Sequence, residues 1–147
     1  MKFKMKKNKK DNYNLVFHAP KIRRGQDNPS ILRITLTDQF TKIDFGHVAD
    51  DYYIKGGWIR IHKETCITIL ETGKQYKLTK ADNIPITPEQ HHFESEKDWQ
   101  FFSLYFEPLP KVDCTFDLIE EDPQDPNDFN YWGVKIDIDK GLKVIRS

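Results

Sequence analysis

Trp99-Gln100-Phe101-Phe102-Ser103-Leu104-Tyr105-Phe106 is the stretch on which the fold turns. Aromatic residues crowd it, as they do strands that pack on a pleated surface. Read with a period of two, Phe102, Leu104 and Phe106 share one face, and Trp99, Phe101 and Tyr105 share the other. Pro108 and Pro110 follow and end the pairing, because proline has no N–H to give a ladder. A strand of a two-layer sandwich is expected to keep one wet face. This one has apolar residues on both.

Working outward, the same period recurs. Ile31–Leu36 alternates, with Leu32, Ile34 and Leu36 on one face and Arg33 and Thr35 on the other. Thr37-Asp38-Gln39 turns it into a second strand, Phe40–Phe45. Residues 13–18, Trp58–Ile61, Thr65–Leu70, Lys74–Leu78, Cys114–Leu118 and Phe129–Ile138 read as further strands, and residues 46–57 and 81–94 as loops. The β-branched run within Lys63–Glu71 argues against a helix there, and no window sustains a 3.6-residue apolar period. Strands punctuated by turns every 8–12 residues mean an all-β sandwich or a barrel. The expected core is Ile34, Leu36, Trp58, Phe102, Leu104, Phe106, Phe116, Leu118, Trp132, Val134 and Ile136.

Three strings carry a resemblance to a known family. Trp99–Pro110 ends in Phe106-Glu-Pro-Leu-Pro110; Phe116-Asp-Leu-Ile-Glu120 and Phe129-Asn-Tyr-Trp-Gly-Val134 follow. Together with an upstream hairpin over Ile34–Phe45 and the Trp58–Ile61 strand, they resemble an immunoglobulin-like β-sandwich domain of bacterial proteins, over residues 30–138. The resemblance implies an antiparallel sandwich of about seven or eight strands. It also implies a module that accompanies thioredoxin-like or caspase-like peptidase domains and has no chemistry of its own. It brings no catalytic residues to this chain. The organisation expected is a basic flexible arm over residues 1–12 and one sandwich domain over residues 13–147.

The chain has 147 residues, 31% of them charged, and its 23 bases and 23 acids cancel. The zero total excludes a uniformly basic nucleic-acid binder and a uniformly acidic solvating chain. The charges are nonetheless segregated. Residues 1–24 hold nine bases and one acid, and the remainder holds 14 bases and 22 acids. Lys2, Lys4, Lys6, Lys7, Lys9 and Lys10 form the arm. One reading is a solvated arm resting on the acidic body; another is an arm that binds nucleic acid or an anionic surface. Phe3 stands alone there, without the interleaved aromatics that stack on single-stranded bases. The basic start has no apolar run behind it, and no segment is apolar enough to span a bilayer. The expectation is a cytoplasmic protein.

Side chains that could carry chemistry are few. His91 and His92 lie near Glu89, Glu94, Glu96 and Asp98, but adjacent side chains of an extended chain point oppositely, which argues against a metal site. Asp122, Asp125 and Asp128 lack the spacing of a calcium loop and read as a rigid acidic loop. Cys66 and Cys114 read as free thiols, the alternative being an inter-sheet disulfide. A nucleophilic Cys66–His62 pair would lack an orienting third group. The expectation is no cofactor, no metal and no enzyme. The remaining feature is the second face of Trp99–Phe106. With Phe129 and Tyr131, which lie opposite Trp132, Val134 and Ile136, the residues Trp99, Phe101 and Tyr105 would form an aromatic patch. The patch is either covered by residues 13–18 or a loop, or it is a surface for another protein or a second copy of the chain.

Overall fold

The computed structural model describes residues 14–19, 29–48, 58–86, 91–92, 99–124 and 129–146. These contain eleven strands and no helix: β1 (Leu15–His18), β2 (Ser30–Leu36), β3 (Thr41–Val48), β4 (Trp58–Ile59), β5 (Cys66–Ile69), β6 (Gln75–Asp82), β7 (His91–His92), β8 (Trp99–Phe106), β9 (Cys114–Ile119), β10 (Asn130–Asp137) and β11 (Gly141–Arg146). The lysine-rich arm lies outside the described residues.

Nine strands pair edge to edge in the order β1-β2-β3-β8-β6-β5-β9-β10-β11, and every neighbouring pair is antiparallel. Strand β6 joins the two halves. Gln75–Lys77 pair with β5, whereas Leu78–Asp82 pair with β8, and the register shifts between Leu78 and Lys80. A bulge bends a strand and increases its twist, so β6 turns the sheet through a corner. At the far ends, β1 and β11 approach one another. The result is one nearly closed, barrel-like sheet. The all-β antiparallel expectation holds; a division into two separate immunoglobulin-like sheets is a finer statement than this pairing makes. The short strands β4 and β7 pair apart from the main sheet.

The interior follows the alternation read from the sequence. Ile34, Leu36, Phe102, Leu104, Phe106, Phe116, Leu118, Val134 and Ile136 are buried, joined by Ile43, Phe45, Ile61, Ile67, Ile69 and Tyr131. Phe45 stacks on Phe102 with ring centroids 4.9 Å apart, and Tyr131 closes on Phe45 at 5.7 Å. The Trp58 side chain is not among those described. Trp132 departs from the expectation, being only half-buried. The cause is a bulge in β10: Tyr131 pairs with Leu118 and Val134 with Phe116, so β10 takes three steps where β9 takes two. Gly133 sits at φ +65°, a backbone region that glycine occupies without strain, and its N–H donates to Asp117 Oδ1 at 2.9 Å. The extra residue reverses the alternation, so Tyr131 and Val134 both point inward.

Turn chemistry sets the hairpins. The Thr37 hydroxyl accepts from the N–H groups of Gln39 and Phe40, closing the β2–β3 turn. Gly73, at φ +75°, donates its N–H to the Ile69 carbonyl between β5 and β6.

Candidate functional site

The outer face of β8 is organised by cross-strand rows. In β3, Ile43 and Phe45 enter the core, so Lys42 and Asp44 lie outward, as does Phe40 just before the strand. Register then places Lys42 and Lys80 on either side of Tyr105, Asp44 and Asp82 on either side of Ser103, Gly46 beside Phe101, and Val48 beside Trp99. Trp99 is 58% exposed and Phe101 40%. Gly46 has no side chain to cover the Phe101 ring. Beyond β6, the Asn83 side-chain amide donates to the Phe101 carbonyl, and Gln100 donates to the Asn83 carbonyl. Both aromatic anchors therefore stand on a strand tied to its surroundings on two sides.

Tyr105 is half-buried. Phe40 meets it edge to face at 5.2 Å, and the ammonium groups of Lys42 and Lys80 lie 5.7 and 5.1 Å from its ring centroid. A ring face attracts cations, and a lysine from each neighbouring strand reaches this one. Between this row and Phe101, the surface is sealed by polar side chains. Asp44 has no exposure. It accepts from Ser103 Oγ and from Arg33 Nε at 2.6 Å, with Lys42 Nζ at 3.7 Å. A carboxylate without solvent is tolerated when it is paired and hydrogen-bonded in this way.

Phe129 and Tyr131 do not belong to this face, which corrects the five-residue patch expected from the sequence. Tyr131 is 1% exposed, and its O–H donates to the Pro29 carbonyl at 2.7 Å inside the fold. Burial, with the nearby Glu120 charge, pushes its pKa well above the ordinary tyrosine value. Phe129 is partly buried against the core beside the His47 ring. The bulge at Gly133 explains the Tyr131 error, because the assumed alternation across β10 does not survive it. What remains outward is Trp99 and Phe101, with Tyr105 recessed between its lysines. The flanking residues Phe40, Lys42 and Lys80 were not singled out from the sequence; the strand order that brings them beside Tyr105 is set by long-range pairing.

A second polar centre is structural. Glu120 has no exposure. Its Oε1 accepts from the Phe129 N–H at 2.7 Å, and its Oε2 from the His62 N–H at 2.9 Å and from Arg60 Nη1 at 3.3 Å. Its own N–H donates to Asn130 Oδ1, and the Asn130 amide donates to the Asp122 carbonyl. One carboxylate thus fastens the start of the acidic loop to β10 and to the segment after β4. Asp125 and Asp128 lie outside the described residues.

Both cysteines are free. Cys66 pairs across from Ile119, at the opposite end of β9 from Cys114. Burial raises the Cys114 pKa to about 11, helped by Glu71 and Asp113, and burial is also the main cause raising Cys66. His62 Nε2 lies 3.2 Å from Glu121 Oε1. The side chains of His91 and His92 are not described. Among the described residues no group of three His, Cys, Asp or Glu side chains converges as a metal site would require, and no helix is long and apolar enough to cross a membrane. No family model matches the chain, and no curated protein or solved structure matches it.

Proposed function

We propose that this chain is a non-enzymatic interaction module whose protein partner docks on the outer face of β8. The observation that carries the reading is the pair Trp99 and Phe101, two large apolar side chains exposed two residues apart on one face of a rigid strand. Aromatic residues on well-held backbone are the usual anchors of protein interfaces, since they bring much area with few rotatable bonds. The resemblance to immunoglobulin-like accessory domains points the same way, towards a domain that acts by contact.

The test is affinity capture from lysate of the source cells with three baits: the full chain, the W99S/F101S variant and a version lacking residues 1–12. The reading expects the full chain and the shortened version to hold the same partner through added salt, and W99S/F101S to lose it. Both anchors are outward, so far-ultraviolet circular dichroism of the variant should match the parent. Partners kept by W99S/F101S but lost with the arm, and released steeply by salt, would favour electrostatic binding of nucleic acid or an anionic surface instead.

A further inference from the structure

We propose that the occupant of this face is an extended protein segment carrying an apolar side chain and, about four residues further along, a carboxylate. The inference rests on the docking face proposed above and names the chemistry of what fills it. Covering the remaining apolar area of Trp99 and Phe101 contributes on the order of 5 kcal/mol. Association costs about that much or more in lost freedom alone, so the two rings need a second contact.

The Tyr105 row offers one. Lys42 Nζ and Lys80 Nζ each lie over the Tyr105 ring, one from each neighbouring strand, so a carboxylate arriving there meets an ammonium group from either side. Their existing partners hold them loosely. Lys80 Nζ is 3.6 Å from Asp82, with 61% of its side chain exposed. Lys42 Nζ is 3.7 Å from Asp44, whose closer partner is Arg33. The exposed Lys80–Asp82 pair is worth about 1 kcal/mol or less, so an incoming carboxylate can replace it, and the buried Asp44 keeps Arg33 and Ser103 when Lys42 turns towards the newcomer. Across the face as a whole the charges balance, Arg33, Lys42 and Lys80 against Asp44, Asp82 and the exposed Glu107, and the two lysines are concentrated at Tyr105.

Spacing then sets the pattern. Phe101 and Tyr105 are four residues apart on one strand, roughly 14 Å at the rise of an extended chain. A segment lying along β8 matches apolar anchor to carboxylate over the same four residues. A single strand of nucleic acid fits less well. It presents a phosphate at every nucleotide and requires a basic groove along its length, while here the lysines stand at one end and Asp82 lies in the path.

The experiment selects displayed random peptides on the full chain, and again on F101S and on K42Q/K80Q, with circular dichroism confirming that each variant is folded. The enriched peptide is then synthesised with its acid and with the corresponding amide. The expected result is enrichment of an apolar residue with Asp or Glu about four positions away. Binding is lost on F101S and weakens about five- to ten-fold on K42Q/K80Q. The amide peptide shows the same weakening on the parent and no further loss on K42Q/K80Q. Peptides that need Phe101 but show no acidic preference overturn the carboxylate chemistry and leave the docking face standing. Peptides indifferent to F101S overturn both. An oligothymidylate that binds through Lys42, Lys80 and Phe101 more tightly than any peptide overturns the protein segment in favour of nucleic acid.

Discussion

Glu120 and Asp44 are carboxylates with no solvent contact, and each is held by donors from distant parts of the chain. Removing one partner of such a centre leaves the others unpaired in a dry site, which is the costly half of the interaction. Glu120→Ala strands the N–H groups of Phe129 and His62 together with the Arg60 guanidinium. We expect it to lower unfolding free energy by about 3 kcal/mol, read by urea denaturation, with Glu120→Gln recovering part of that loss. Cys114 yields a pH effect with a definite sign. Its folded pKa, about 11, lies above the ordinary value of 9.0, so the unfolded chain gives up this proton first. The contribution to stability is complete below pH 9 and disappears as pH rises through 11. Urea unfolding should therefore show stability falling across that window, and falling less in Cys114→Ala. Tyr131 adds to the fall above its own ordinary pKa, because it too is raised. One of these residues was legible beforehand: Cys114, Phe116 and Leu118 alternate inward, and Glu120 continues that series. Its charge, followed by further acids, gives no local sign that it is buried.

At the scale of elements, the alternation of β8, β9 and the later part of β2 could be read because these stretches keep a regular pleat; at the start of β2 the register shifts between Ile31 and Arg33, so Ile31 is buried and Leu32, expected beside Ile34 and Leu36, is only half-buried. It failed in β10, where Gly133 adds a residue without breaking the strand. A Trp-Gly pair inside an apolar run was the available sign, since glycine within a strand marks a bulge. Gly133→Ala should destabilise the protein by about 1–2 kcal/mol, because a side chain is strained at φ +65°. Thermal unfolding checks this, and an unchanged midpoint would remove the structural role given to the bulge. Strand β6 was read too short, as Lys74–Leu78. Its second half pairs with a different neighbour, and local sequence carries no signal for that exchange. The strand β11 was not anticipated at all.

Across the whole molecule, one continuous sheet turned at β6 buries a single core and leaves the outer surface of β3, β8 and β6 as its most distinctive face. The zero net charge conceals two features, a basic arm against an acidic body and, within that body, a pair of lysines flanking Tyr105. The first was visible in the sequence; the second required the strand order. Trp99 and Phe101 are the residues proposed to lie inside an interface. Hydroxyl-radical footprinting of the chain, free and in complex with its captured partner, tests that proposal most directly. Leu70 and Val112, exposed by 52% and 53% elsewhere on the surface, serve as internal references. Trp99 and Phe101 should become protected in the complex while Leu70 and Val112 label as before. Equal labelling of Trp99 and Phe101 in the free and bound states would contradict it.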